Sequence, residues 1–357
     1  MAARSDNDTG DDGPARGDDK LATYRSKRDA GKTPEPVPAA GSFPQGDDNT
    51  FVVQEHHARA LHWDLRLERE GVLVSWAVPK GIPMDPKTNH LAVHTEDHPL
   101  EYATFSGDIP RGEYGAGTMA IWDRGTYETE KWSDREVMVV LHGSRAAGRY
   151  VLFRTGGKNW MIHRMDPPAD PDAEPLPVGL RPMPAEERSR LPRDEDSYGF
   201  EFAWGGRRML TYIEGGRARF ADGEGHDIGA PAGLAMPLGA AFSARPALLD
   251  GELATLEGKE IYLIFDLLHL DGRSLLDLPY EERRRRLDEL NLSGSRWQTA
   301  PWFPGEGGDG RGDEPGTGAA VRQAAREQGL PGIVAKRLDA PYRPGEHTDA
   351  WRYIPVR

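Results

Sequence analysis

Side chains that could bind a metal ion and a phosphate alternate along one short segment of the chain, LHWDLRLERE. If this segment is a strand, His62, Asp64, Arg66 and Glu68 lie on one face, and Trp63 lies with the leucines on the other, which is the expected core. Imidazole and carboxylate groups are metal ligands by type, and a guanidinium can donate two parallel hydrogen bonds to a phosphate. The pattern predicts a strand face that binds a metal and a phosphate, and an ordinary solvated strand face is the alternative.

Further residues could complete this site. The preceding segment, QEHHARALH, could supply a third ligand, and spacing does not separate His56 from His57. Lys80, where the AVPKG strand ends, could add a cation. The chain has no cysteine, so the ligands must be His, Asp or Glu, and two His with one carboxylate suit Zn, Mn or Fe. A second alternating stretch, HLAVHTEDH, predicts one polar strand face formed by His90, His94, Glu96 and His98.

The elements that would position these residues are short strands separated by Gly and Pro turns. Runs such as VLVSWAVP, TMAIWDRGTYE and GRYVLFRT alternate apolar and polar residues between Phe51 and His163, which predicts an all-β sandwich or small barrel. The later part of the chain mixes strand-like runs with two helical segments, PYEERRRRLDEL and AAVRQAAREQ, and predicts an α+β domain.

Composition marks the segments outside these domains. Residues up to about Gly46 have the composition of a tail, and the stretch that begins at Pro304, PGEGGDGRGDEPGTG, predicts a surface loop. The predicted organisation is an acidic tail, a β domain, a Pro- and acid-rich linker and an α+β domain, at residues 1–19, 20–165, 166–197 and 198–357.

The net charge of −13 argues against broad, non-specific binding to nucleic acid, but it allows a single basic pocket that captures one phosphate. The N-terminus has no apolar run of the kind found in signal peptides, and no later stretch is long and apolar enough to span a membrane. We therefore expect a soluble, cytoplasmic protein, and we expect it to be a monomer.

Longer motifs in the β region resemble a known family. QEHHARALHWDLRLE, SWAVPKG, LAVHTEDHPLEYATFSGDIPRGEYGAG and WDRGTYE resemble the 3′-phosphoesterase domain of the bacterial end-joining ligase, ligase D. The stretch YRSKRDAGKTPEP also fits, so part of the predicted tail should be ordered. The resemblance implies a small β-barrel with a Mn²⁺-dependent site that acts on DNA 3′ ends, and the end-binding protein Ku as a partner. Such an enzyme removes a terminal ribonucleoside from a primer strand and then removes the 3′-phosphate that is left.

The resemblance also assigns roles to individual residues. The metal ligands would be His56, His62 and Asp64, which favours His56 over His57. The scissile phosphate would contact Arg66 and His98. Because His90 stands where the family usually has a phosphate-contacting Arg, phosphate affinity should be lower or pH-dependent here. Tyr102 matches a further essential residue, and the supporting positions are Lys80, Glu96, Arg28, Asp29 and Glu35.

The later motifs, FEFAWGGRR, ALLDGELA, IYLIFDLLHLDG, LPGIVAKR and DAWRYIPVR, resemble the nucleotidyltransferase domain of ATP-dependent DNA ligases. The family nucleophile is the Lys of K-x-D-G-x-R, where this chain has Ala203, and the Asp of that motif is Gly205. Gly223, Pro331, Tyr353 and Pro355 replace further family residues, whereas the retained motif residues include Arg208, Asp250, Glu252 and Lys336.

A methyl group cannot attack the α-phosphate of ATP, so ATP should not react with this domain. The leading hypothesis is therefore a 3′-end-healing phosphoesterase joined to a ligase-like module without ligase chemistry. A non-catalytic protein that binds DNA ends, or acts as a scaffold there, is the alternative. An active ligase is disfavoured by Ala203.

Overall fold

The computed structural model describes residues 19–40, 46–243, 245–306 and 316–356. The predicted acidic tail, apart from Asp19, and most of the predicted loop after Pro304 lie outside these residues. Contacts divide the chain into two compact units, which comprise residues 1–56, 64–77 and 92–160, and residues 57–63, 78–91 and 161–357. In the part of the chain that the structure describes, no helix is long and apolar enough to cross a membrane.

The strands between residues 50 and 164 form a nine-stranded sheet in the order β1-β2-β3-β4-β9-β8-β7-β6-β5. An additional pairing of β1 with β6 closes the first eight strands of this order into a barrel, and β5 extends it beside β6. The predicted small barrel is confirmed. The strands are β1 (Thr50–His57), β2 (Leu61–Arg69), β3 (Val72–Val78), β4 (His90–His94), β5 (Gly107–Ile109), β6 (Gly117–Trp132), β7 (Glu136–His142), β8 (Ala147–Gly156) and β9 (Asn159–Arg164).

Strand β2 follows the alternation of its sequence and is buried on both faces. Trp63, Leu65 and Leu67 have no solvent exposure, as expected for the core face. The opposite face, which includes Asp64 and Arg66, is buried as well. Burial of so many polar groups on one strand face requires that they bond to one another, and this makes the face a preorganised site rather than a solvated surface.

The residues before β1, which the composition alone assigned to a tail, are ordered from Asp19 to Ala40. A short helix, α1 (Ala22–Ser26), places Leu21 and Tyr24 in an apolar cluster. The same cluster contains Tyr102, from a 3₁₀ helix over Leu100–Thr104. Burial of these apolar side chains orders the segment, as the match of YRSKRDAGKTPEP to the family implied.

The second unit contains two sheets and three helices, so the predicted α+β class is confirmed. Its strands form a five-stranded sheet, β10-β21-β20-β11-β19, and a seven-stranded sheet in which β14-β13-β12-β15-β16-β17 are joined by β18 beside β16. The strands are β10 (Glu186–Glu187), β11 (Tyr198–Ala203), β12 (Arg207–Glu214), β13 (Arg217–Ala221), β14 (Asp227–Ile228), β15 (Ala247–Leu256), β16 (Lys259–Leu270), β17 (Arg273–Ser274), β18 (Trp297–Thr299), β19 (Trp302–Pro304), β20 (Gly332–Arg337) and β21 (Trp351–Pro355).

The helices of this unit are α2 (Ala235–Ala241), α3 (Tyr280–Glu289) and α4 (Thr317–Glu327), and the last two are the helices predicted from the sequence. The end of the predicted linker packs with this unit. Met183 is fully buried in one of its apolar clusters, and β10 pairs in parallel with β21. The composition of residues 166–197 therefore marks a segment with little regular structure, but its later part is held by the second unit.

Candidate metal and phosphate site

Three predicted metal ligands lie together in the structure. A hairpin with a three-residue connection joins β1 to β2, so that His56 near the end of β1 approaches His62 and Asp64 on β2. One potential ligand atom from each residue lies within 4.8 Å of the other two. Nδ1 of His56 is 3.7 Å from Oδ2 of Asp64. Two imidazoles and one carboxylate at this spacing form a donor set that fits Mn, Zn or Fe.

Both histidines are oriented by backbone carbonyls. Nε2 of His56 is 2.8 Å from the carbonyl oxygen of Gly115, and Nδ1 of His62 is 3.0 Å from that of Ala60. A carbonyl oxygen can only accept, so each of these ring nitrogens carries the proton. In these tautomers the lone pair that could ligate a metal is on the other nitrogen, Nδ1 of His56 and Nε2 of His62. This hydrogen bonding of the second nitrogen is typical of metal-binding histidines.

Arg66 is the hub of the polar face of β2 and is only 2% exposed. Its Nε donates to Gln54 at 2.7 Å, Nη1 lies 2.9 Å from Ser75 and 3.0 Å from His98, and Nη2 donates to Asp64 at 3.0 Å. Nδ1 of His98 also lies 2.8 Å from a backbone carbonyl oxygen, so this nitrogen carries the ring proton and does not accept from Arg66. The contacts to Gln54, Ser75 and Asp64 therefore use three of the five guanidinium N–H groups. Among the described residues, one N–H of Nη1 and one N–H of Nη2 remain for a substrate, and the two-bond contact with a phosphate stays a prediction.

His98 lies between two guanidinium groups. Its Nδ1 contacts Arg66, and its Nε2 is 3.4 Å from Nη2 of Arg28. Burial, and next the charges of Arg66 and Arg28, hold the pKa of His98 well below its usual value. The imidazole is therefore neutral near pH 7. Nδ1 is also 2.8 Å from the carbonyl oxygen of Glu96, so it carries the one ring proton and Nε2 can accept from Arg28. A neutral ring in this tautomer has no second proton to donate to a leaving oxygen.

A second layer of charges supports His98. Arg28 donates from Nε to Glu35 at 2.9 Å and from Nη1 to Glu96 at 3.3 Å, and Lys27 lies 3.0 Å from Glu96. Tyr102 donates its hydroxyl to Oε1 of Glu35 at 2.8 Å. Burial raises the pKa of Tyr102, so its phenol stays protonated and keeps this hydrogen bond.

The predicted single face formed by His90, His94, Glu96 and His98 is wrong. Trp76 pairs with His94, so regular pairing would place residue 97 opposite Leu73, but Leu73 pairs with His98. One extra residue after β4 thus reverses the side on which His98 lies. His98 reaches Arg66 and Ser75 for this reason, whereas His94 contacts Trp76 and Trp160.

Three other predicted site residues lie apart from this hydrogen-bond network. Nδ1 of His90 is 2.7 Å from the carbonyl oxygen of Gly81, and burial lowers the pKa of His90 while the charge of Lys80 lowers it further. Any pH dependence from His90 is thereby displaced below the ordinary His range. Lys80 itself is exposed, in the turn after β3. Asp29 is an exposed turn residue that pairs with Lys32 at 2.9 Å.

Sequence analysis missed several residues of this site. Gln54 lies two residues before His56 on the same strand, and Ser75 is a single polar residue within an apolar run, so alternation could have indicated both. Gly115 acts through its carbonyl, for which the sequence carries no signal. Tyr114, beside it, is 48% exposed and its hydroxyl lies 3.1 Å from Lys27.

The motif residues of the second unit form a closely bonded interior. Arg208 donates twice to Asp250, at 3.1 and 2.6 Å, and Tyr342 donates to the same carboxylate at 2.7 Å. The carboxylate of Glu252 accepts from the backbone N–H of Gly206. Retained motif residues thus bond to one another within the fold.

Lys336 is also buried and ion-paired within the fold. Lys336 is 1% exposed, and its Nζ is 2.8 Å from Glu201. The same nitrogen lies 4.2 Å from the ring centres of Phe265 and Trp351. Ala203 ends β11 opposite Gly332, and Gly205 has φ of +74°, a conformation that favours glycine. Lys336, a retained motif residue, and Ala203 and Gly205, two replaced ones, therefore all lie in regular, packed parts of the domain.

Residues 54–154, which include most of the barrel, match the family model of the DNA Ligase D 3′-phosphoesterase domain. Residues 222–353 match the family model of the ATP dependent DNA ligase domain. Two successive parts of the chain are thus similar to these two families of domains.

Relatives of known name are similar over 93% of this chain. The multifunctional non-homologous end joining DNA repair protein LigD of Mycobacterium tuberculosis is 42% identical over 353 residues, and the corresponding protein of Mycolicibacterium smegmatis is 40% identical over 361. This chain spans 45% of each of them. A solved structure of mycobacterial DNA ligase D complexed with ATP and MES is 27% identical, with a TM-score of 0.43, over 49% of this chain and 60% of that one.

Proposed function

We propose that this protein is a Mn²⁺-dependent 3′-phosphoesterase that heals DNA 3′ ends in non-homologous end joining, in two steps. In the first step a terminal ribonucleoside is removed and a 3′-phosphate remains. In the second step water replaces the 3′-oxygen on phosphorus, which releases inorganic phosphate and leaves a 3′-hydroxyl. The observation that carries the proposal is the cluster of potential ligand atoms from His56, His62 and Asp64, which lie within 4.8 Å of one another.

The residues of the chain have distinct roles in this proposal. His56, His62 and Asp64 hold the metal, which when bound stabilises negative charge on a phosphate oxygen. Arg66 keeps Asp64 in place and offers its remaining Nη1 and Nη2 hydrogens to the same phosphate. His98, which matches a phosphate-contacting position of the family, lies beside Arg66 as a neutral ring. Its orientation depends on Arg28 and Glu96, and that of Tyr102 depends on Glu35.

Purified protein stripped of metal should be assayed on a DNA primer that ends in one ribonucleotide and is annealed to a longer template. We expect no product without metal and processing after Mn²⁺ is added, with Zn²⁺ and Mg²⁺ compared at equal concentration. The alternative function is a non-catalytic protein that binds DNA ends. Binding of the same primer-template with no turnover in any of these metals would support that alternative and contradict the proposal.

We propose further that the ligase-like module forms no covalent adenylate and serves as a binding module at the same ends. Support comes from Ala203, which lacks the amine of the family nucleophile, and from Lys336, whose amine is ion-paired with Glu201. Ku is the partner proposed for the intact chain. Co-sedimentation of the chain with Ku on a DNA end, but not with either alone, tests this part separately.

A further inference from the structure

A cavity of about 370 Å³ in the first unit is unrelated to the metal and phosphate site. It is lined from β3, β4, β6, β7, β8 and β9 and from the turns that join β6 to β7 and β8 to β9. The mouth of a β-barrel is a common place for a ligand site. Six side chains give the cavity its character: Trp76, Trp132, Trp160, His94, Arg154 and Lys158.

The floor of this cavity is aromatic. Trp76 contacts Trp160 edge-to-face with 5.7 Å between ring centres, and Trp132 at 6.5 Å. His94 is roughly parallel to Trp160, at 28° and 6.3 Å. Trp76 is 1% exposed, and its indole N–H has no acceptor among the described residues. The aromatic surface that the cavity offers to a ligand therefore comes mainly from the other two tryptophans, Trp132 and Trp160.

The rim of the cavity is charged. Arg154 and Lys158 are exposed there, and the acidic side chain at the rim is Asp134. The charges of Lys158 and Arg154, together with burial, lower the pKa of His94, so His94 is neutral and adds no charge. The combination is an apolar, aromatic floor beside two cations, which matches the chemistry of a nucleobase joined to a phosphate.

The cavity is distinct from the site on β2 because neighbouring side chains of a strand point to opposite faces. Ser75 of β3 contacts Arg66, whereas Trp76, the next residue, lines the cavity. The extra residue after β4 separates His94 from His98 in the same way. Binding in the cavity can therefore be measured without the metal site.

We propose that this cavity binds an unpaired nucleotide of a DNA strand, with the base stacked on Trp132 or Trp160 and its phosphate paired with Arg154 and Lys158. The choice of DNA as the ligand rests on the proposed function, since an enzyme of 3′ ends meets unpaired overhang nucleotides. The cavity would hold the chain on a single-stranded region while the metal site acts elsewhere.

A circular single-stranded oligodeoxynucleotide is the appropriate probe, because it offers unpaired bases but no 3′ end. Binding is measured in EDTA by fluorescence anisotropy with the full chain. We expect Trp132→Ala and Lys158→Glu each to weaken binding about tenfold, the size of one lost stacking or phosphate contact. Arg124→Glu is the matched control, because Arg124 is an exposed cation on β6 that does not line the cavity.

Two further measurements keep the outcome clear. Trp132→Phe keeps a stacking face and should restore most of the affinity, and a circle of the same length with abasic sites should bind the unaltered chain as weakly as Trp132→Ala binds the normal circle. Equal losses for Lys158→Glu and Arg124→Glu, or equal affinity for the normal and abasic circles, would overturn the proposal. These measurements do not depend on hydrolysis. The cavity proposal can therefore be refuted while the phosphoesterase proposal holds, and the phosphoesterase proposal can be refuted while the cavity proposal holds.

Discussion

Single residues of the candidate site are held by contacts that specify their chemical state. His56 and His62 each have one ring nitrogen bonded to a carbonyl, and Arg66 has protein acceptors for three of its N–H groups. Such bonds fix tautomers and rotamers before substrate arrives, and preorganisation of this kind accounts for much of enzymatic charge stabilisation. Arg66 is therefore a support for Asp64 as well as the proposed contact for the phosphate.

Replacement of Arg66 by Lys tests this double role. A lysine has one donor nitrogen and cannot reach Gln54, Ser75 and Asp64 together, so we expect turnover to fall about 100-fold or more. We also expect a loss of about 1–3 kcal/mol in the free energy of unfolding, because buried acceptors lose their donor. Arg69→Lys, on the same strand, is the control and should change neither. Turnover within a few-fold of normal in the Arg66 variant would remove Arg66 from both roles.

His98 predicts how stability depends on pH. Its folded pKa lies well below the unfolded value, so below about pH 6.5 the unfolded chain binds a proton that the folded chain does not. Stability should therefore fall as the pH is lowered, by up to about 1.4 kcal/mol per pH unit from this residue. Denaturant unfolding in EDTA between pH 7 and 5 should show a shallower slope for His98→Gln. An unchanged slope in that variant would contradict the assignment.

At the scale of elements, the sequence predicts β2, which carries two of the three predicted metal ligands, and misses the irregular segments that complete the site. The alternation of apolar and polar residues identifies β2, because side chains of a strand repeat with period two and the two faces of this strand differ in polarity. The change of side between His94 and His98 depends on how Leu73 pairs with His98. The folding of residues 19–40 depends on the burial of Leu21 and Tyr24. Neither is visible in local composition, and only the family resemblance indicated that the N-terminal segment folds.

The N-terminal segment should be required for catalysis although it contributes no predicted metal ligand. Glu35 accepts from Tyr102 and Arg28, and Arg28 contacts His98. We expect Glu35→Gln to lower turnover about tenfold, a typical effect of supporting hydrogen bonds, with Mn²⁺ affinity by calorimetry unchanged. Thr23→Ala, an exposed change on α1, is the control. A Glu35 variant that loses Mn²⁺ affinity in proportion to turnover would place Glu35 at the metal instead.

The whole molecule has two kinds of domain. In the first, the predicted site residues lie close together, and in the second, the retained ligase-motif residues bond to other residues of the same domain. Asp250 is occupied by Arg208 and Tyr342, and Lys336 by Glu201. The sequence predicted both folds, because motif order can be read directly, and the loss of the family nucleophile at Ala203 stays a prediction. It could not predict these buried contacts, which are set by packing between distant strands.

The ligase-like module should form no enzyme–adenylate with ATP and Mg²⁺, and Ala203→Lys alone should not restore one. A new lysine would stand beside Gly205, whose φ of +74° disfavours the family Asp, and Lys336 would still be paired with Glu201. Labelled ATP followed by denaturing electrophoresis tests both statements, with an active ATP-dependent ligase run in parallel. A labelled band from the unaltered protein would refute this prediction, and peptide mapping would locate the nucleotide.

The central claim is that His56, His62 and Asp64 support two successive reactions at a DNA 3′ end. Time-resolved gel analysis of a primer with one 3′-ribonucleotide, in Mn²⁺, tests it most directly. The account predicts a 3′-phosphate species that rises and then falls as the 3′-hydroxyl product accumulates. Both steps should be absent in His62→Ala and Asp64→Ala and retained in His57→Ala, with all three variants folded. A 3′-hydroxyl product that forms without the phosphate intermediate, or normal rates in His62→Ala, would contradict the account.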